Sequence, residues 1–463
     1  MTTNTLPTYS ANSHEFDESL KNGLESLLSM GRDSGADFVE IFLENTNNLG
    51  IMAEQESITS VNPSFSKGAG VRVFLGERDG FVSTNDTSTN GIQEALIQAL
   101  GMLDLQLNNI RYTDFEGLKN YIDYGYDKNE WYKACPDLQE VTTKLLAGNR
   151  YLSQKGQDLE VRRSSYSRAW QEVLVASSDG TFARDIRLHQ SIGLNALAAS
   201  GQYRSSIGRR YGTYGEPNQL KDWDCESSAD DVCRSIRNML FAEYVEASQM
   251  PVVLANKFGG VIFHEACGHL LETTQLERGT SPFAEKLNKK IAHECVTAID
   301  EGLSRGSFGS ISMDDEGMPA EKTTLIKDGI LKRFMSDRAG ELRTGHKRTG
   351  SGRRQSHSFP AASRMRNTFI AAGEYKPEEL INSIDKGLYC KSMGGGSVGP
   401  TGQFNFAVEE AYLIDKGKLT NPVKGATLIG EAQEVLPRIS MCADDLDLAA
   451  GFCGSVSGNI NVT

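Results

Sequence analysis

What this 463-residue chain lacks narrows its identity before any motif is read. No apolar segment approaches the ~20 residues needed to span a bilayer. Met1 to Leu20 is polar, without the basic start and apolar run of a secretory signal, so neither a membrane span nor export is expected. Its eight cysteines stand at 135, 225, 233, 267, 295, 390, 442 and 453, with no Cys-x-x-Cys pair and no disulfide-framework density. A reducing cytoplasm is the expected compartment. Basic residues are outnumbered, 48 against 61, and the net charge of −13 argues against general binding of nucleic acid or anionic membranes, which reward a basic surface.

Two glycine-bearing stretches also lack what a nucleotide site needs. Gly68-Ala69-Gly70-Val71-Arg72 has no third glycine and is followed by a predicted strand, not a helix, so its glycines are expected to bend a sheet. The run from Met393 to Gly402 has no Gly-Lys-Ser/Thr. Glycine there is expected to let backbone approach backbone, at a sheet edge or in a cleft that receives an extended peptide.

What is present is an ordinary globular composition, 39% hydrophobic, in a chain long enough for two or three domains. Phe16, Leu20, Leu24, Leu27 and Leu28 recur at helical spacing, and Ile92–Leu105 and Leu138–Gly156 read as further helices. Strands are predicted at Asp37–Leu43, Gly50–Val61, Gly70–Thr84 and several times within Val161–Gln202, with a hairpin at Ser178-Asp179-Gly180-Thr181. Asn108–Asp137 reads as an irregular surface crossing and Tyr211–Asp231 as a boundary. Val232, Ile236, Leu240 and Tyr244 then form a helical stripe, and Pro251–Ala255 a short buried strand. Lys327-Asp328-Gly329 and Lys416-Gly417 mark hairpins in a C-terminal half of strands and turns. The expected fold is α+β: an N-terminal α/β domain over residues 1–225, then a β-rich C-terminal metal-site domain over 226–463.

The stretch that carries chemistry is Gly259-Gly260-Val261-Ile262-Phe263-His264-Glu265-Ala266-Cys267-Gly268-His269-Leu270-Leu271-Glu272. Two imidazoles and a carboxylate stand in an apolar run, where buried polar groups need a partner. Satisfied core histidines are one reading and a divalent metal is the other. The spacing His-Glu-x-x-x-His is one residue longer than the zinc-protease helix motif. At roughly 100° per residue a regular helix would set His264 and His269 about 140° apart. A wider π-type turn near Gly268 is therefore predicted to bring them onto one face. Cys453 is the candidate third ligand, since a thiolate with two imidazoles suits zinc and three protein ligands leave a position open. Glu265 would then be the general base toward the metal's water. Cys267 could complete a purely structural zinc site but is expected to be a small core residue.

One further segment inverts the chain's charge. Leu342 to Gly373 has no acidic residue but contains Arg343, Lys347, Arg348, Arg353, Arg354, Arg364 and Arg366. It reads either as a solvated loop or as a site that draws in peptide carboxylates or acidic side chains.

The His264–His269 motif, Met313-Asp314-Asp315-Glu316-Gly317, Phe334-Met335-Ser336-Asp337-Arg338, Gly350-Ser351-Gly352-Arg353-Arg354, Arg364-Met365-Arg366-Asn367-Thr368 and Cys453-Gly454 occur in the order found in the TldD branch of the TldD/PmbA metalloprotease family. Taken together they closely resemble that family over nearly the whole chain, although Ser455 stands where the family usually has lysine. The resemblance implies a zinc peptidase with one Zn2+ per active chain, held by His264, His269 and Cys453, with Glu265 catalytic. It also implies unfolded or extended peptide substrates in an enclosed groove, and a homodimer or a heterodimer with a PmbA-type paralogue. The competing expectation is a catalytically idle protein that binds peptides or a partner, in the manner of a gyrase modulator.

Overall fold

The computed structural model describes residues 18–107, 115–119, 121–124, 135–156, 159–215, 223–304, 306–399 and 402–463. Phe16, most of the expected surface crossing, part of the expected boundary, and Pro400-Thr401 of the glycine-rich run lie outside them. The chain is a mixed α/β, multi-domain protein.

Its first half is organised by β1 (Phe38–Glu54), β2 (Ser57–Leu75), β3 (Arg78–Thr84), β4 (Leu159–Ser177), β5 (Phe182–Ser200) and β6 (Tyr203–Tyr214). They pair antiparallel in the order β3-β2-β1-β4-β5-β6. Strand alternation explains its two faces. Val39, Ile41, Leu49 and Ile51 of β1 point to the side covered by α1 (Glu18–Asp33), α2 (Thr89–Gly101) and α3 (Leu138–Lys155). Both α2 and α3 begin on a polar cap, Ser88 and Asp137, whose side chains accept from Gly91 N and Glu140 N. The stripe that includes Val232, Ile236 and Leu240 lies on α4 (Cys225–Leu240), packed on β5 and β6. Tyr244, expected on this helix, lies beyond its end at Phe241 and is exposed.

Glu40, Phe42 and Glu44 of β1 face the second half of the chain, and two of them are charged. Glu40 pairs with Arg354 at 2.5 Å, and Glu44 accepts from His357 N at 2.6 Å. Gly68 and Gly70 lie within β2, where a Cβ would meet the His357 ring at 2.2 Å and its carbonyl at 2.9 Å. The glycines let a crossing segment lie directly on the sheet.

The second half contains a sheet including Ala298–Glu301, Lys322–Lys327 and Asn367–Ile370, and another including Val252–Leu254, Lys386–Val398, Gln403–Asp415 and Lys418–Lys424. Both predicted C-terminal hairpins form, with Asp328, Gly329, Lys416 and Gly417 all at positive φ. Val252–Leu254 is only partly buried. It leads toward α5 (Phe258–Ala266), which lies against strands Asn367–Ile370 and Lys386–Val398 with Ile262 and Phe263 in the core. A terminal hairpin, Gly451–Ser455 with Gly458–Val462, completes the chain's described structure.

The acid-free segment is neither a solvated loop nor a basin for substrate carboxylates. Arg353, Arg354, Arg364 and Arg366 are buried and bonded internally, and Lys347 is exposed. Arg366 pairs with Asp300 at 2.7 Å and Arg348 with Glu316 at 3.2 Å. The counter-charges lie far away in sequence, which is why the local count misled.

Candidate metal centre

The motif begins on α5, but the chain leaves the α path at Cys267 (φ −122°, ψ −47°) and continues as a 3-10 turn over Gly268–Leu271. The expected distortion at Gly268 is present as a tightening, not as the wider π-type turn. Its cause is close packing: a Cβ on Gly268 would lie 2.2 Å from Met365 Sδ. The break turns His269 back toward His264, and the two rings meet edge to face with centroids 5.1 Å apart.

Cys453 arrives from the terminal hairpin, 184 residues beyond His269, and its Sγ lies 3.2 Å from His269 Nε2. The donor atoms of His264, His269 and Cys453 all lie within 4.8 Å of one another. A tetrahedral zinc with nitrogen and sulfur ligands separates its donors by about 3.5 Å, so this set fits one such ion after a small closure. Cys267 is fully buried in the core and stands outside the cluster. Burial pushes its thiol pKa far above the ordinary value.

Each histidine is electrostatically distinct. Burial holds His264 well below the ordinary imidazole value, helped by the charges of His269 and Arg364, so it is a neutral imidazole at pH 7. Burial pushes His269 the same way, but Glu272 and Cys453 outweigh it and raise its pKa. A cation placed against its Nε2 would therefore compete with a proton. His269 Nδ1 lies 3.2 Å from Glu272 Oε2, a fully buried carboxylate whose other oxygen accepts from Met365 N at 3.3 Å. With Nδ1 turned to Glu272, it is Nε2 that faces the thiol.

Glu265 stands apart from this buried pair. Its side chain is 30% exposed, with Oε2 3.8 Å from His269 Nε2. Burial, with Glu272 nearby, raises its carboxyl above the ordinary value against the pull of His269 and Arg364. It opens with His264 onto a cavity of about 1410 Å³ whose walls include Leu254, Ile262, Phe369, Met393 and Leu428. Met393 to Val398 of the glycine-rich run lie in the strand Lys386–Val398, where a Cβ on Gly396 would meet the Phe406 ring at 2.0 Å.

Sequence reading missed Glu272 and Arg364. Glu272 did carry a signal, a carboxylate ending an apolar run three residues after a histidine. Arg364 stood out only within the acid-free segment and a family motif, with no sign of its place, because the acceptors of its side chain lie in the terminal hairpin.

Family models agree with this architecture along the chain. The model for the PmbA/TldA metallopeptidase domain 1 matches residues 39–103, that for the central domain 133–240 and that for the C-terminal domain 247–462. The "Metalloprotease TldD homolog" of Haemophilus influenzae is 32% identical over 451 residues, covering 92% of this chain and 90% of that protein. The "Zinc metalloprotease TldD homolog" of Saccharolobus solfataricus is 26% identical over 445 residues, covering 94% and 95%. TldE from Thermococcus kodakarensis shares the fold, with a TM-score of 0.74 at 20% identity over 95% of this chain and 98% of that chain. Matched by three successive domain models, and by a relative above 30% identity along nearly its whole length, this chain belongs to the PmbA/TldA metallopeptidase family.

Proposed function

We propose that the chain is a zinc-dependent peptidase hydrolysing unfolded or extended peptides, with one Zn2+ held by His264, His269 and Cys453 and with Glu265 as general base. The observation that carries this reading is the convergence of two imidazoles and a thiol, from positions 184 residues apart, beside a carboxylate that opens on a cavity. When bound, the ion supplies Lewis acidity toward a carbonyl and makes neighbouring water easier to ionise. Glu265 takes the water proton and returns it to the leaving amine, a role suited by a carboxyl raised above its ordinary value. Glu272 fixes the His269 ring, and the apolar walls shield the reacting carbonyl from bulk water.

The same proposal includes a cytoplasmic location and a dimer, of this chain with itself or with a PmbA-type paralogue. It divides the chain at 225/226, so that α4 opens the second part: its Ser235 and Asn238 bond Glu410 and Tyr412 there, while its apolar face packs on β5 and β6 of the first.

Elemental analysis of the purified protein, with a mixed-peptide digest run with and without chelator, tests the reading. Glu265→Ala is expected to keep its zinc and lose cleavage by at least ~100-fold, the usual contribution of a general base. Cleavage by that variant at the normal rate removes Glu265 from the mechanism. Full zinc with no cleavage by the native protein leaves the idle, peptide-binding alternative.

A further inference from the structure

We propose that Arg364 is a positioning residue for the metal centre, acting through the backbone of Cys453; this rests on the ligand set proposed above. Its guanidinium is fully buried and all three of its hydrogen bonds end in the terminal hairpin. Nη2 donates to Cys453 O at 2.6 Å, and Nη1 donates to Ser457 Oγ at 3.0 Å and Gly458 O at 2.8 Å. One fork thus spans both strands and the turn of the element that bears the thiol.

That element needs fastening. Each strand has five residues, and the hairpin's own apolar cluster consists of Cys453, Ile460 and Val462. A hairpin of this size is marginal alone. Arg353 and Gln355 fasten its second strand, through Asn461 O at 2.8 Å and Asn459 N at 2.7 Å. Arg364 is the described side chain that bonds the main chain of Cys453 itself.

Its neighbours tie the same segment to the histidines. Met365 fills the space against Gly268 and donates its backbone N–H to Glu272, and Ser363 Oγ meets Thr274 N at 3.1 Å. Residues 363–365 therefore join the two sources of donor atoms, the motif turn on one side and the thiol hairpin on the other.

The charge state supports a geometric role over a stabilising one. Arg354 and Arg366 are paired with Glu40 and Asp300, whereas Arg364 forms no ion pair with a carboxylate among the described residues, and its Nε has no partner. A buried guanidinium with no directly paired carboxylate costs stability that an apolar residue of similar volume would not. What the guanidinium supplies is a rigid planar fork that a lysine cannot reproduce.

The test uses the full chain loaded with cobalt(II), whose thiolate-to-metal charge-transfer absorption reports Cys453 ligation directly, and zinc affinity by competition with a chelating indicator. Arg364→Lys is expected to weaken metal binding about 10- to 100-fold and to reduce the thiolate band per bound cobalt. Added to Cys453→Ser, it is expected to cause no further loss, because a residue acting through Cys453 has nothing left to position. Unchanged affinity and band in Arg364→Lys, or an equal loss in the Cys453→Ser background, overturns the proposal. Should the lysine variant not fold, Arg364→Gln, which removes the buried charge and keeps a planar donor, is read in the same way. A native protein that binds cobalt without a thiolate band overturns the ligand set itself, and with it this proposal.

Discussion

Glu265 and Glu272 both approach His269, yet their surroundings separate them. Glu272 is wholly enclosed and bonded to Nδ1 of the ring, whereas Glu265 opens on the cavity. Replacing Glu272 with Gln is expected to lower zinc affinity about 10- to 100-fold with little change in secondary structure, as measured by indicator competition and circular dichroism. Gly268→Ala forces a methyl toward Met365 Sδ and is expected to destabilise the protein by about 1–3 kcal/mol. Combined with Met365→Ala, its cost in a denaturant melt is expected to fall short of the sum of the single losses. The histidines and Glu265 drew notice as polar groups in an apolar run, and Cys453 as a soft ligand to go with two imidazoles; the structure brings the histidines and Cys453 together. The place of Arg364 was not legible, since backbone carbonyls about ninety residues away leave no trace in side-chain pattern.

Among the elements, β1 shows what period-two patterning tells and hides. Its odd positions 39 and 41 form a core face, but Glu40 and Glu44 look like solvent-facing residues until a second layer is laid on them. The strand also runs on through Asn45–Glu54, well past the predicted Leu43, because burial against α3 and pairing with β2 and β4 override the polar residues there. Hairpins were easier to read: turns that need positive φ at two successive positions select Asp-Gly or Lys-Gly locally. Burial raises the Glu44 carboxyl, but hydrogen bonds from His357, Thr46 and Gln171 outweigh it and leave the pKa below the ordinary value. A depressed carboxylate contributes stability above its unfolded pKa of 4.5 and loses it as pH falls through the folded value. Glu44→Gln is thus expected to cost about 2 kcal/mol at pH 7, with its melting temperature converging on the native one as pH drops below 4.5.

For the whole molecule, the histidines lie in the large core of the second half, and the thiol belongs to a small cluster at its margin. Stripping the metal is therefore expected to loosen the terminal hairpin first. Limited proteolysis after chelation should cut near residues 451–462 while the β1–β6 sheet stays resistant. At free zinc about a hundredfold above Kd, binding contributes about 2.7 kcal/mol of apparent stability, which appears as a concentration-dependent melting temperature.

The distance along the chain between His269 and Cys453 also orders events during synthesis. A polypeptide emerging from the ribosome carries both imidazoles long before the sulfur that completes the trio has been made. Growing copies therefore cannot assemble the centre proposed above while their own unfolded segments, and those of neighbouring nascent chains, lie within reach.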